Sequence, residues 1–300
     1  MDLHRLEVFC RVVELKSFTK AAEAVYLSQP TVSEHLRSLE EMVGQKLVDR
    51  LGREVLPTPA GQILYRYALQ LLQLRQEATQ ALQQFSGTLA GHLTLGASTI
   101  PGTYILPALI GTFKARYPDI QTTLRIANSR LTAEGVLNGE LEMGVIGARW
   151  NEPGLEWEEM FEDELVITVH PEHPWAKRRK VRLPELLQEP FIMRERFSGT
   201  RRVMSQILEE HGADLSRLPV VAEMGSTEAV RQSIKARIGV SILSRHAVAE
   251  DVERNTLVTV ALEGIRLRRP IFLIKRRQRE LSPLCSAFLQ HLRAASPANP

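Results

Sequence analysis

Leu3, Leu6, Phe9 and Val13 recur at helical spacing with charges between them, which predicts a helix over 3–14. A second, short helix follows Ser17 and carries Ala21, Ala22 and Ala24, small residues that let neighbouring helices approach closely. Val25-Tyr26-Leu27 makes a brief connection. Ser28 then suits an N-cap, and Pro30 is tolerated in the first turn, where its missing N–H has no partner to lose. The helix that follows runs to about Val43 and stops at Gly44. Val32, Leu36 and Leu39 fall on one face of it, while Gln29, Thr31, Ser33, Glu34 and His35 crowd its N-terminal turns. Two short helices, a tight turn and a third helix make a helix-turn-helix pattern.

Residues 46–57 place Gly52 between two short apolar stretches, which predicts a hairpin tip flanked by Arg50 and Arg53, a basic wing. Thr58 and Pro59 open a long helix to about Phe85. Its apolar stripe runs Ile63, Tyr67, Leu71, Leu74, Ala78, Leu82 and Phe85, opposite a side rich in Gln. A long helix with one apolar stripe needs a partner. We read dimerisation rather than packing on its own domain, because the preceding unit is small and the helix long.

Residues 86–91 read as a linker, and the pattern then changes to strands alternating with helices. Strands are expected at 92–97, 120–126 and 143–146, and near 165–169, 190–193, 219–223, 240–243, 257–262 and 270–274. Helices are expected over 103–116 and 130–138, and near 200–211, 227–237 and 282–294. This alternation predicts a parallel α/β sheet. Some 210 residues is long for one such layer, so two subdomains with a cleft are expected.

Charge complicates a nucleic-acid reading. The net charge of +3 is small, and residues 1–86 hold 10 Lys/Arg against 10 Asp/Glu. DNA binding would therefore rest on a local surface rather than bulk charge. Cys10 and Cys285 sit in apolar helical patterns and read as buried free thiols. The start has acids and no uninterrupted apolar run, unlike a signal peptide, and no stretch approaches membrane-spanning length. The expected location is the cytoplasm.

The chain resembles the LysR-type transcriptional regulators over essentially its full length. Phe9, Ser17-Phe18, Ala21-Ala22, Ser28-Gln29-Pro30, Ser33, Leu39-Glu40, Gly44, Leu47, Arg50 and Thr58-Pro59-Ala60-Gly61 carry the likeness. Looser matches follow at Leu106-Pro107 before Phe113, Tyr117-Pro118, Leu137-Asn138-Gly139, Gly199-Thr200-Arg201 and Gly239-Val240-Ser241. The resemblance implies an α/β multidomain protein: an N-terminal winged helix-turn-helix, a long linker helix, and a C-terminal sensor of two α/β subdomains like periplasmic binding proteins. Carried over, residues 1–58 bind DNA, 59–86 form the linker and dimerisation helix, and 91–300 bind effector. Subdomain I would be 91–162 with 268–300, and subdomain II 163–267. Homodimers or homotetramers, promoter DNA, a small effector and, for an activator, RNA polymerase are the implied partners. Glu34 departs from the family, many members of which have a basic residue there. A carboxylate can accept from cytosine N4 but is repelled by phosphate.

The expected DNA-binding residues are Ser28, Gln29, Pro30, Thr31, Ser33, Glu34, His35 and Arg37 on the third helix, with Arg50 and Arg53 from the wing. Taken alone, that helix is an ordinary capped surface helix; the wing, the long helix and the family spacing favour DNA. His35 stays open between DNA and solvent. The expected effector-binding residues are Ser98, Thr99, Gly102, Asn128, Ser129, Glu195, Ser198, Gly199, Thr200, Ser226 and Thr227, in loops where strands give way to helices. Hydroxyls and amides there suit an anion, or simply cap helices. They lean toward a compact oxyanion, such as a sulfur oxyanion, or a small carboxylate; Arg130, Arg194 and Arg201 are candidate charge partners, with solvation at the surface the favoured alternative for any one. The loop His170-Pro171-Glu172-His173-Pro174 lacks a third metal ligand, and the run 177–182 reads as a solvated basic face. An enzyme with an appended DNA-binding head would need a phosphate loop, a Gly-x-Ser-x-Gly elbow or a metal-ligand set. The sequence shows none, so no catalytic residue, cofactor or metal is expected.

Overall fold

The computed structural model describes residues 2–51, 54–85 and 89–296, and the main division into compact units falls between residues 88 and 89. The first unit begins with α1 (Leu3–Leu15), capped by Asp2, and α2 (Phe18–Ala24), capped by Ser17. It continues through α3 (Gln29–Val43), which ends on Gly44 at φ 71°. An antiparallel hairpin follows, β1 (Val48–Leu51) and β2 (Glu54–Pro57), and then α4 (Pro59–Phe85). Leu6, Phe9, Ala21, Val32, Leu36, Leu39, Leu47 and Ala68 form its core.

The helix α4 has two apolar faces where one stripe was expected. Leu64, Ala68, Leu69 and Leu72 pack into the core of their own unit, which answers the question of home packing for that side. The stripe read from the sequence is the other face: Ile63, Tyr67, Leu71, Leu74 and Leu82 are exposed. Gly61 makes the junction possible. A Cβ built there would lie 1.9 Å from the Leu47 carbonyl oxygen, so only glycine lets the first turn press on that backbone.

The second unit opens with β3 (Gly91–Ser98), a five-residue π-helical turn at Pro101–Ile105, and α5 (Leu106–Arg116). Then come β4 (Ile120–Ala127), α6 (Ser129–Leu137), β5 (Met143–Ile146) and the long β6 (Leu155–Val169). The chain proceeds through β7 (Lys180–Val181), α7 (Leu183–Leu186), β8 (Phe191–Arg194) and α8 (Gly199–Glu210). It closes with β9 (Val220–Met224), α9 (Thr227–Lys235), β10 (Ser241–Ser244), α10 (Arg245–Glu253), β11 (Val258–Leu262), β12 (Arg268–Arg276) and α11 (Pro283–Ala295).

The sheets are mixed, not parallel as expected. β3 pairs in parallel with β4 and β5, but β12 runs antiparallel to β5 and β6, and β10 and β11 run antiparallel to β6. The reason is that the chain passes between two lobes on β6 and returns on β12. Leu155–Glu164 of β6 pairs with β12 in the first lobe, while Leu165–Val169 pairs with β10 and β11 in the second. Each lobe has its own core, one around Leu95, Phe113, Val145 and Phe288, the other around Ile167, Trp175, Phe191 and Ile242. The crossing strands meet at the cross-strand pair Asp163↔Arg269.

Candidate functional site

On α3 the inner face is fully used: Val32 and Leu39 are completely buried and Leu36 nearly so. The outer face is polar. The Ser28 hydroxyl accepts from the Thr31 amide at 3.3 Å and shares a 2.8 Å bond with the Thr31 hydroxyl. Gln29 Nε2 donates to Ser33 Oγ at 3.0 Å, tying two side chains one turn apart into a single unit. Ser28, Gln29, Pro30, Glu34 and Arg37 are exposed, and Arg37 pairs with Glu41 at 2.9 Å. Thr31 and Ser33 are half-buried.

His35 is half-buried too, packed edge-on against His4 at 5.4 Å, with its Nδ1 buried and without a hydrogen-bond partner. It is therefore turned toward α1 rather than wholly outward. Arg53 lies outside the described residues, as does the side chain of Arg50. Beside the start of α3, Tyr26 is 96% exposed and holds a left-handed φ of 55°. An aromatic in a three-residue turn is its signal in the sequence.

Seven of the expected effector residues converge. Ser98 and Thr99 at the end of β3, Asn128 and Ser129 at the start of α6, and Ser198, Gly199 and Thr200 at the start of α8 line one cavity of about 10 Å³. The space lies at the starts of two helices, α6 and α8, and helix N-termini favour an anion. The Gly199 position brings the lobes close: a Cβ there would sit 2.5 Å from Ser129 Oγ.

The other four expected residues lie elsewhere. Gly102 packs against Ile126 and Ala97, Ser226 is exposed and caps α9, and Glu195 ion-pairs with Arg194. Thr227 is buried behind the cavity, where it accepts from Arg194 Nη1 at 2.5 Å. None of these four lines the cavity. Of the proposed charge partners only Arg194 does, at 5% exposure. Arg130 stacks on Phe197 and pairs with Glu134, and Arg201 pairs with Glu223.

Arg269, unremarked in the sequence, also lines the cavity and is 2% exposed. Its Nε donates to Asp163 Oδ2 at 2.9 Å and its Nη1 to Thr200 Oγ1 at 3.1 Å. Its Nη2 lies 2.8 Å from the same Asp163 oxygen, completing a buried ion pair. Burial pushes the pKa of Arg269 down, opposed by the Asp163 carboxylate and reinforced by nearby Arg194. The signal was its alternation with Leu267 and Ile271, which puts Arg269 on a buried strand face.

Elsewhere, His173 caps Trp175, His170 accepts from the Glu172 amide, and Arg178, Lys180 and Arg182 pair with Glu185 and Glu263. Among the described residues no group of three metal-ligating side chains gathers, and no helix is long and apolar enough to cross a membrane.

A helix-turn-helix with a hairpin, followed by a two-lobed α/β domain with a polar cleft, defines the class of ligand-responsive DNA-binding regulators. The chain belongs to the LysR family: residues 3–62 match the bacterial regulatory helix-turn-helix protein, lysR family, and residues 86–297 match the LysR substrate binding domain. It is 34% identical to a probable RuBisCO transcriptional regulator of Cyanidioschyzon merolae, over 97% of each chain. It is 33% identical to the RuBisCO operon transcriptional regulator of Allochromatium vinosum, over 96% of this chain and 94% of that one. Among solved structures, the Synechocystis CcmR regulatory domain in complex with 2-PG is 28% identical, with a TM-score of 0.64 over 70% of this chain and 99% of that one. CbnR, at 20% identity and a TM-score of 0.74 over 99% of this chain and 100% of that one, shares the fold. The protein is thus a transcriptional regulator with an effector-binding domain, and not an enzyme.

Proposed function

We propose that this regulator reads an operator with the outer face of α3, through Ser28, Gln29, Pro30, Thr31, Ser33, Glu34 and Arg37, with wing residues Arg50 and Arg53 on phosphate. Residues 1–58 are the DNA-binding domain and 59–86 the dimerisation helix, joined to a second copy through its exposed apolar face. Residues 91–300 sense the effector, which biases how the paired heads are held. RNA polymerase is the further partner when the protein activates.

The effector is a small oxyanion. The observation that carries this is the cavity, where two buried arginines, Arg194 and Arg269, meet hydroxyls and the starts of α6 and α8. A phosphate ester of a small carboxylic acid is the first candidate. CcmR is described in complex with 2-PG, and the relatives named RuBisCO regulators make a RuBisCO operon the first operator to test. Sulfur oxyanions and simple carboxylates share the chemistry and are the alternatives. A calorimetric titration of the full chain with 2-phosphoglycolate, inorganic phosphate, sulfate and small dicarboxylates decides. Saturable binding of a phosphorylated acid, weakened by Arg194→Met, is expected; binding of none of these anions would sink the reading.

A further inference from the structure

The cavity of about 10 Å³ has room for roughly one water. A tetrahedral oxyanion carries several heavy atoms where water carries one, so admitting it requires the lobes to part. What spans the gap is therefore what the anion must displace. Arg269 Nη1 donates to Thr200 Oγ1 at the start of α8 in the second lobe, and lies 3.5 Å from the Gly147 carbonyl oxygen in the first. Gly147 permits this, since a Cβ there would sit 3.1 Å from Nη1. On its other side the same guanidinium is fixed to Asp163, whose second oxygen accepts from Ser244 at 2.8 Å. Asp163 and Arg269 are the facing residues of the two strands on which the chain crosses between lobes. Arg269 thus touches the cavity, the far lobe and the hinge at once.

Resting on the oxyanion reading above, we infer that Arg269 is the positioning residue that couples effector to hinge: an oxyanion replaces Thr200 on Nη1 while Nε and Nη2 stay on Asp163, releasing α8 from the crossing strands. The anion then bridges the guanidinium to the amides at the start of α8, so the lobes separate while remaining joined through the ligand. A guanidinium fork can do this because its donors are fixed in one plane; an ammonium offers a point charge instead.

The test uses the full chain, with inorganic phosphate and 2-phosphoglycolate as probes, calorimetry for affinity and hydrogen exchange for movement. In the unaltered protein the probe should change exchange in the first turn of α8 and at the β6–β12 crossing. Arg269→Lys should weaken binding at least about tenfold and abolish the change at the crossing while keeping the positive charge. Wild-type affinity together with a wild-type exchange response in Arg269→Lys overturns the inference. Should that variant not fold, Thr200→Val decides: exchange in the first turn of α8 should rise without any probe, and unchanged exchange overturns the latch. If the unaltered protein binds neither probe, the effector reading itself fails. If it binds but exchange at the crossing stays fixed, only the coupling fails.

Discussion

Gly61 shows how much one residue can decide. Helix propensity says that glycine in a helix should be improved by alanine, by about 1 kcal/mol. Here the added methyl would arrive 1.9 Å from the Leu47 carbonyl oxygen, a backbone atom held in place because Leu47 itself is fully buried. Thr58 fixes the same turn, donating to the Lys46 carbonyl and accepting from the Gly61 amide. Gly61→Ala should therefore destabilise the N-terminal unit by about 1–3 kcal/mol, read as a lower thermal midpoint. A raised midpoint would mean the contact is not made. Single residues were unevenly legible in the sequence. The Ser28 cap and the burial of Cys10, whose thiol burial pushes up to about 12, followed from pattern alone. Arg269 did not, because a charged residue at a strand start reads as surface until a partner carboxylate is known to face it, and Asp163 lies 106 residues away.

At the scale of elements, helices were read closely and strand direction was not. Helical spacing repeats within one segment, so α8 and α9 appear from their own sequence. The first half of β6 was missed because Glu156, Glu158, Glu159, Glu162 and Glu164 make it look like a polar connection. In the structure several of these acids are answered across the surface, by Lys275, Arg293, Arg268 and Arg245. α10 was likewise unread, and an ion network clamps it to α9. The buried Asp251 of α10 pairs with Arg231 and Lys235, both at 2.5 Å, and accepts from Thr256. Burial alone would raise the pKa of Asp251, but these three donors outweigh it and hold the carboxyl below its usual value. A depressed carboxylate stabilises the fold above its unfolded value of about 3.9, and that stability is lost as pH falls through the folded value. Asp251→Asn should cost about 2 kcal/mol at neutral pH. It should also flatten the loss of stability below about pH 4. Parallel wild-type and mutant melting curves across pH 2–5 would show instead that this carboxylate contributes nothing to acid unfolding.

For the whole molecule, the puzzle is a DNA-binding head without surplus charge. Its 10 basic residues are matched by 10 acidic ones in residues 1–86, and Arg5, Arg11, Arg37, Lys46 and Arg75 already sit in ion pairs. Half of the ten basic residues are thus already partnered, and those are less ready to displace counterions from DNA. If each head engages roughly two or three phosphates, a dimer releases about five counterions, and log K should fall with log salt at a slope near −4.5. A slope steeper than about −8 would mean that the ion pairs open on DNA and the neutral count misleads. With phosphate contributing less, base contacts must supply more of the affinity, and the readers proposed above include the tied pair Gln29–Ser33. The double change Gln29→Ala with Ser33→Ala should therefore bring operator affinity close to that for random DNA while leaving the salt slope unaltered. Base readers change specificity, whereas phosphate contacts change the slope. A double variant that still discriminated, but with a shallower slope, would reverse these roles and move recognition from α3 to the wing.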